Sequence, residues 1–439
     1  MANRQGSCFA NAWRARRGRG TCARLPHARI SDPLACFGVA LLLAATLLVA
    51  GCAKGDRDAL AGVPPEKAAT PLPAAPSVVF AGRQLQHQPL PCASAILIEP
   101  ESNAILYEQD AHTLRAPASI VKMTLELVVL REIEAGRLAL TDSIRVSEWA
   151  SNIGGSQVYL AAGEVFPLEE LMKAIVIHSA NDACVAVAEH IAGTADGFVE
   201  LMNREVEQLG LTDTHYINVH GLDDDPGAGN RTTAYDIAQI GRALIRYPKV
   251  LEWSSIEKTP FRSGDFILEN TNKLIGRFEG CDGLKTGFTD TAGFCLCATA
   301  KRNGLRLISV VMGCNANRDR FAENAELLAA GFNSYSLVAG LTQGADLKET
   351  VRVRDGDPKQ VAAVGGPTTT VLVSRPDDRT ISRRFVPLAK LRAPLAPGDR
   401  VGTIQVLSGE RVLAELPAVT LTEVRMNGFA ALVRSLTGK

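Results

Sequence analysis

Three short motifs carry the residue types of an acyl-transfer site, and they follow one another along the chain. They are Ser119-Ile-Val-Lys122, Ser179-Ala-Asn181 and Lys285-Thr-Gly287. A serine hydroxyl is a poor nucleophile until a neighbouring group removes its proton. A lysine can remove that proton if burial or nearby cations lower the pKa of its ammonium group, which otherwise stays charged at pH 7. The set therefore predicts a serine nucleophile with its own lysine base.

The first motif supplies the nucleophile, Ser119, and the base, Lys122. Their three-residue spacing places both side chains on one face of a helix, and we expect that helix to run from Ser119 to a stop at Gly136. The helix N-terminus would also stabilise negative charge developing at the serine. The same spacing recurs in Ser255-Ile-Glu-Lys258, but that copy follows the Ser-x-Asn motif and soon meets Pro260. The order of the motifs and the local sequence therefore favour Ser119 over Ser255 as the nucleophile.

The second motif lies between two predicted helices, over Leu168–Ile177 and Ala183–Ile191. Serine and asparagine often cap the start of a helix, and capping is the alternative role for this pair. As catalytic groups, Ser179 could relay a proton to a leaving amine. Asn181 could bind a substrate amide while it steadies Lys122.

The third motif combines a cation, a hydroxyl and a glycine. On a strand edge, Lys285 and Thr286 can hold a substrate carboxylate, and Gly287 lets the substrate backbone approach closely. The backbone N–H groups of Ser119 and Phe288 are candidates for an oxyanion hole. A solvated lysine beside a turn glycine would explain this tripeptide alone, but not the three motifs together.

The order of elements predicts two folded domains. Helical patterns around a hairpin with strands at Phe294–Ala300 and Leu305–Met312 indicate an α/β (α+β) catalytic domain over residues 93–340. Residues 345–422 contain short runs rich in valine and leucine between turn signals, which predicts a small all-β sandwich. Residues 423–439 form a short amphipathic segment that could lie on a membrane or pack against its own domain.

The N-terminal region indicates export. Residues 1–51 combine a basic start with the apolar run Leu34–Ala50, as in a secretory signal, and this run is short for a membrane helix. The signal ends in Val49-Ala50-Gly51-Cys52, which resembles the bacterial lipoprotein box, so Cys52 is a candidate lipidation site. A plain cleavable signal or an uncleaved anchor are the alternatives. Residues 52–92, rich in proline and alanine, predict a tether to the periplasmic side of the membrane.

Charge and cysteine spacing exclude other classes of function. Lys and Arg total 47, as do Asp and Glu, so the chain lacks the basic character of a nucleic-acid-binding protein. It contains no Cys-x-x-Cys or His-Glu-x-x-His pattern, and we predict neither a metal site nor a cofactor. Disulfides or free buried thiols both fit the cysteines of the exported body, because no spacing decides a pairing. These cysteines are Cys92, Cys184, Cys281, Cys295, Cys297 and Cys314.

The three motifs together are those of penicillin-binding proteins and active-site-serine β-lactamases. The chain resembles D-alanyl-D-alanine carboxypeptidases of the low-molecular-mass penicillin-binding protein group. Further stretches carry this resemblance over about residues 91–340: Pro117-Ala-Ser119, Ser179-Ala-Asn-Asp-Ala-Cys184, His220-Gly-Leu222, Asp282-Gly-Leu-Lys-Thr-Gly287 and Leu307-Ile-Ser-Val-Val-Met-Gly313. The resemblance implies a transpeptidase/β-lactamase-like fold for the catalytic domain.

The resemblance also implies an activity on the stem peptide of peptidoglycan. Ser119 would attack the D-Ala-D-Ala amide, release the terminal D-alanine and leave an acyl-enzyme that water hydrolyses, while Lys122 acts as base. β-Lactam antibiotics would acylate Ser119 as substrate mimics. Arg320 matches a family arginine that helps to hold the terminal carboxylate, although Arg318 is close enough in sequence to compete.

Two departures from the family pattern leave substrate preference open. Phe288 stands where some relatives have histidine, and Thr271 stands where some have arginine.

Three other functions are alternatives. A β-lactamase would need a deacylating glutamate, for which we find no recognisable context, and would lack the second domain. D,D-endopeptidase relatives commonly lack that domain as well. A catalytically inactive glycan-binding protein predicts a damaged motif, whereas every motif is intact.

Overall fold

The computed structural model describes residues 77–223 and 229–437. The predicted export signal and its Cys52 lie outside the described residues. Across the two described ranges, no helix has the length and apolar content needed to cross a membrane.

The strands and helices appear in mixed order along the chain. The strands are β1 (Ser77–Phe80), β2 (Ser94–Glu99), β3 (Ala104–Gln109), β4 (Ser143–Arg145), β5 (Val165–Pro167), β6 (Lys258–Phe261), β7 (Phe266–Glu269), β8 (Cys281–Thr289), β9 (Gly293–Arg302), β10 (Leu305–Cys314), β11 (Tyr335–Leu341), β12 (Asp346–Arg352), β13 (Gly356–Asp357), β14 (Gln360–Gly365), β15 (Thr369–Ser374), β16 (Ile381–Pro387), β17 (Arg400–Ser408), β18 (Arg411–Val419) and β19 (Arg425–Met426). The α-helices are α1 (Lys122–Glu134), α2 (Glu148–Asn152), α3 (Leu168–Lys173), α4 (Asn181–Ala192), α5 (Ala195–Gln208), α6 (Ala234–Leu244), α7 (Pro248–Ser254), α8 (Asn317–Ser334) and α9 (Gly428–Thr437).

A five-stranded antiparallel sheet in the order β3-β2-β10-β9-β8 forms the centre of the catalytic domain. Its strands are apolar on both faces, and successive residues alternate between two cores. Ile96 and Val310 pack on the side of α1, α4 and α6, whereas Leu97 and Val311 pack on the side of α8. Because both faces are covered, these strands read as continuous apolar runs. The sheet is therefore a rigid support, and β8 forms one of its two edges.

The helix predicted from Ser119 begins three residues later. Ala118–Val121 form a 3₁₀ turn, and α1 continues from Lys122 to Glu134, followed by Gly136 in the left-handed region at φ 72°. A 3₁₀ turn has three residues per turn, so side chains three apart lie above one another. The serine and lysine therefore share a face as predicted, although the serine precedes the α-helix.

The C-terminal domain is built from two sheets, with strand orders β1-β15-β11 and β12-β14-β18-β17-β16. Their inward residues meet in one apolar cluster, to which β15 contributes Val371 and Val373 and β17 contributes Ile404 and Val406. The predicted fold class is confirmed: an α/β (α+β) catalytic domain is followed by a β-rich domain.

Two predicted boundaries are wrong. Ser77–Phe80, assigned to the tether of residues 52–92, form β1 and pair in parallel with β15. The β-branched pair Val78-Val79 suits a strand, and β15 would otherwise present an unpaired edge. At the other end, β11 pairs antiparallel with β15 and belongs to the C-terminal domain, so the catalytic domain ends at α8 rather than at residue 340.

The structure decides the cysteine question that spacing left open. Cys92, just before β2, forms a disulfide with Cys314 at the end of β10. The described residues also include four free cysteines, of which Cys184, Cys295 and Cys297 are buried and Cys281 is half-buried. The disulfide ties the first residues of the catalytic domain to its central sheet.

Helix α9 presents the apolar stripe predicted for the C-terminal segment. Phe429 and Leu436 are 79% and 77% exposed, and Leu432 and Val433 are also exposed. The expectation that this segment could pack against its own domain holds for its first residues, since Val424 is buried and β19 pairs with β13, whereas the apolar stripe of α9 is exposed.

Candidate active site

Ser119 and Lys122 form the central contact of the site. Lys122 Nζ lies 2.8 Å from Ser119 Oγ and donates a hydrogen bond to the carbonyl oxygen of His220 at 2.7 Å. Ser119 Oγ lies 3.5 Å from the same carbonyl. The carbonyl orients Nζ towards the hydroxyl. When the lysine is neutral, this contact lets Nζ accept the serine proton.

The environment of Lys122 makes a neutral lysine accessible near neutral pH. Its side chain is 0% exposed, and burial lowers its pKa to about 8, partly offset by Cys184, Glu126 and Asp182. Burial penalises the charged form because the protein interior solvates an ammonium group poorly. The sequence prediction of a lysine with a lowered pKa therefore agrees with the geometry.

The backbone beside the serine is tightly constrained. Ala118 adopts φ 48°, a left-handed conformation that is strained for a residue with a side chain. Gly221 packs against this turn at φ 86°, and a Cβ there would come within 2.1 Å of the Ala118 carbonyl oxygen. Only glycine fits such an approach. The His220 carbonyl is thereby held against the serine turn.

The second motif faces the loop that precedes it. Ser179 is buried in the left-handed region at φ 67°, and follows a π-helix over Ala174–His178. Asn181 Nδ2 donates to the Gly154 carbonyl at 2.7 Å, and Asn181 Oδ1 is buried without a hydrogen-bond partner among the described residues. Neither residue caps α4, whose N-cap is Ala180. The capping alternative is therefore wrong, and Oδ1 remains available to an amide donor.

The third motif lies on β8, the edge of the central sheet. Lys285 is buried, its Nζ donates to the Thr286 carbonyl at 3.1 Å, and burial together with the charge of Lys122 lowers its pKa. Thr286 Oγ1 donates to Thr271 Oγ1 at 2.7 Å. A Cβ on Gly287 would lie 2.8 Å from the Pro117 carbonyl oxygen. Glycine therefore also lets this strand pack directly against the serine turn.

Phe288 follows the motif and is 48% exposed. Its ring stacks on Phe294 of β9 with centroids 4.2 Å apart. The side chain thus offers an apolar surface at the edge of the site, and its backbone N–H remains the candidate oxyanion donor.

Arg320, rather than Arg318, reaches the third motif. Arg320 Nη1 donates to the Gly287 carbonyl at 2.8 Å, and its guanidinium lies over the rings of Phe294 and Phe321. Burial lowers its pKa to about 10, so the group stays charged at neutral pH. Arg318 is 90% exposed and pairs with Asp319. Of the two arginines, Arg320 is therefore the one in contact with the third motif.

Two partners in this site escaped the sequence analysis as functional groups. They are the His220 carbonyl, which receives Lys122, and the Thr271 hydroxyl, which receives Thr286. His220-Gly-Leu222 is a recognisable stretch, but every residue has a backbone carbonyl, so the residue type does not reveal this role. In the sequence, Thr271 stands out only because some relatives have arginine at this position.

The chain matches two known protein families. The sequence profile described as "D-alanyl-D-alanine carboxypeptidase" matches residues 83–316, and that of "Penicillin-binding protein 5, C-terminal domain" matches residues 335–425. The chain belongs to the D-alanyl-D-alanine carboxypeptidase family.

Members of this family resemble the chain over most of its length. D-alanyl-D-alanine carboxypeptidase DacF of Bacillus subtilis is 31% identical over 79% of this chain and 89% of the relative. DacA of Escherichia coli K12 is 36% identical over 76% of this chain and 84% of the relative. Penicillin-binding protein 5 of Haemophilus influenzae superposes with a TM-score of 0.68 at 30% identity, covering 78% of this chain and 99% of that one.

Lys122→Arg tests the base. Arginine keeps the positive charge but holds its proton far above pH 7, so we expect acylation of Ser119 by a fluorescent penicillin to slow about 10²–10⁴-fold. Stopped-flow fluorescence measures the rate, and thermal unfolding verifies the fold. Lys301→Arg, at an exposed position on β9, is the control and should be unchanged. Acylation of Lys122→Arg at the wild-type rate would contradict the assignment of the base.

Arg320→Ala tests the support of the carboxylate-binding strand. The variant loses a buried cation and the bond to the Gly287 carbonyl, so we expect the KM for a peptide ending in a carboxylate to rise about 10-fold or more. The kcat should fall less, because no group at the serine changes. Steady-state kinetics beside Arg318→Ala separate the two arginines. Equal effects in both variants would argue against the role of Arg320.

Proposed function

We propose that this chain is a serine-type D-Ala-D-Ala carboxypeptidase that removes the terminal D-alanine from peptidoglycan stem pentapeptides. The observation that carries the proposal is the buried Lys122 Nζ, 2.8 Å from Ser119 Oγ, in a member of this family. Removing the terminal residue would limit cross-linking, because cross-linking uses the D-Ala-D-Ala amide bond of the pentapeptide.

The first half of the reaction forms an acyl-enzyme. Neutral Lys122 accepts the Ser119 hydroxyl proton as Oγ bonds to the carbonyl carbon of the penultimate D-alanine. The resulting oxyanion accepts hydrogen bonds from the backbone N–H groups of Ser119 and Phe288. Ser179 passes the proton to the leaving amine, the amide bond breaks, and D-alanine departs. Water then attacks the ester carbonyl while Lys122 accepts a proton from it. The ester bond to Ser119 breaks, and the proton returns to Oγ to restore the serine hydroxyl.

The remaining groups position the substrate. The terminal carboxylate lies by Lys285 and Thr286, with the Arg320 charge behind the strand. The unpartnered Asn181 Oδ1 accepts a hydrogen bond from a substrate amide N–H. β-Lactams carry a carboxylate and a reactive amide in the same relation and would acylate Ser119. A solved relative, penicillin-binding protein D2 of Listeria monocytogenes, is described in its ampicillin-bound form and matches with a TM-score of 0.52 at 31% identity, covering 56% of this chain and 99% of that one.

We further propose that the protein is exported and held on the periplasmic side of a membrane through a lipid on Cys52. The sequence of residues 34–52 motivates this proposal, and two structural features support it. The Cys92–Cys314 disulfide suits an oxidising compartment. The exposed apolar stripe of α9 suits a second, weaker contact with the bilayer surface.

Ser119→Ala tests the reaction. We expect the detergent-solubilised wild-type chain to retain labelled penicillin and to release D-alanine from a pentapeptide, and Ser119→Ala to do neither, because the nucleophile is gone. Label is read by mass spectrometry and D-alanine by a coupled oxidase assay. Rapid penicillin turnover without D-alanine release would instead assign a β-lactamase. Labelling of Ser119→Ala would refute the nucleophile.

Cys52→Ser tests the anchor. We expect the wild-type chain to incorporate labelled palmitate and to sediment with membranes, whereas Cys52→Ser should take up no label and shift towards the soluble fraction. Cys36→Ser, within the apolar run, is the matched control and should behave as wild type. Unlabelled wild-type protein would exclude lipidation at Cys52.

A further inference from the structure

The C-terminal domain contains a cavity that the proposed function does not use. Its volume is about 730 Å³, and basic side chains dominate its lining. The charged residues of the lining are Arg352, Arg354, Asp355, Lys359, Lys390 and Arg392. Five cations therefore face one acid, in a chain whose lysines and arginines are balanced by an equal number of acids. Such a local excess of positive charge in a concave site predicts an anionic ligand.

The alternation of side chains explains why these cations share one face. Val353 and Leu391 are buried in the core of the domain, and successive side chains of an extended segment point to opposite faces. Their neighbours in sequence therefore lie on the outside. Arg354 N–H donates to the Leu391 carbonyl at 2.8 Å, and Ala393 N–H donates to the Arg354 carbonyl at 3.0 Å. These two hydrogen bonds hold the cationic wall of the cavity on the packed core.

A single carboxylate neutralises only part of this charge. Asp355 Oδ2 lies 3.2 Å from Arg392 Nε and 3.8 Å from Arg354 Nε. These two arginines are also partners in a β-bridge, and like charges placed side by side are destabilising. The three other cations of the lining form no ion pair with an acid of the described residues. They are Arg352, Lys359 and Lys390. A bound anion would relieve the repulsion among these groups.

The flanking strands do not remove the excess of positive charge. Asp357 on β13 lies opposite Arg425 on β19, and Arg425 Nε lies 3.2 Å from Glu423 Oε1. These two acids and one cation lie outside the lining of the cavity. They reduce the local excess from four positive charges to three, so the cavity remains cationic.

The cavity adjoins the start of α9 through Asn427, which belongs to its lining. Asn427 N–H donates to the Asp355 carbonyl at 2.8 Å, and Asn427 Oδ1 accepts a hydrogen bond from Ala430 N–H at 2.9 Å. Asn427 therefore joins the wall of the cavity to the first turn of α9 and caps that helix. Phe429, the first residue of the exposed apolar stripe, follows two residues later. A cation-lined cavity thus lies next to an exposed apolar surface.

We propose that this cavity binds the headgroup of an anionic phospholipid while the apolar stripe of α9 contacts the bilayer. Guanidinium groups bind phosphate through paired hydrogen bonds, and lysines add further positive charge. Clustered cations beside an apolar helix face bind anionic membranes through both features. A small soluble anion would use the cations alone and leave the stripe without a role. The inference goes beyond the proposed function and depends neither on the reaction at Ser119 nor on a lipid at Cys52.

Amine labelling of the cavity lysines tests this proposal. The detergent-solubilised full chain is inserted into nanodiscs of phosphatidylcholine, with or without phosphatidylglycerol, and mass spectrometry measures the acetylation rate of each lysine. We expect phosphatidylglycerol to slow the labelling of Lys359 and Lys390 about 5-fold or more, because a bound phosphate shields their amines. Lys301, an exposed lysine on β9 of the catalytic domain, is the internal control and should react at the same rate in both nanodiscs.

The double variant Arg354→Gln/Arg392→Gln removes two cations from the cavity. Their side chains are 74% and 62% exposed, so glutamine should leave the core intact, and thermal unfolding verifies this. We expect phosphatidylglycerol to slow the labelling of Lys359 and Lys390 less than about 2-fold in this variant. Arg425→Gln, which removes an exposed cation outside the lining, is the matched control and should keep the wild-type protection. Should the double variant fail to fold, Lys390→Gln read at Lys359 gives the same test.

Three results would overturn the proposal. Equal labelling of Lys359 and Lys390 in the two nanodiscs would exclude an anionic headgroup. Slowing of Lys301 by the same factor would show a general effect of membrane charge. In detergent without phospholipid, millimolar inorganic phosphate should leave the rates unchanged, and full protection by phosphate would assign the cavity to a soluble anion instead.

Discussion

The whole site depends on keeping an ammonium group in the protein interior within reach of a serine hydroxyl. Lys122 is fully buried, and its Nζ contacts both Ser119 Oγ and the His220 carbonyl. Burial makes this lysine a base, and burial is also costly, since a charged amine loses its water. The surrounding fold supplies what compensates that cost: one oriented carbonyl, buried acids and rigid packing.

Rigidity comes from a sheet that is covered on both faces. The packed core around α1 leaves the serine turn no room to move, and β8 lies against that turn closely enough to require Gly287. The loop before α4 is tied down by Asp182 and Asn181. Three motifs that are far apart in sequence are therefore held to one geometry by interdigitated packing, which resists small displacements.

Two similar buried lysines have different roles in the proposed reaction. Lys122 and Lys285 are both fully buried, and the charge of Lys122 lowers the pKa of Lys285. Arg320 adds a third cation behind β8.

Much of this protein follows from its sequence alone, because the decisive features are local. The nucleophile and base are three residues apart, the hairpin of β9 and β10 has a turn signal between apolar runs, and the order of elements predicts both domains. Contacts between segments that are distant in sequence could be identified only from the tertiary structure. Pairing of β1 with β15, the Cys92–Cys314 disulfide and the choice of Arg320 over Arg318 join residues whose separation in sequence carries no signal.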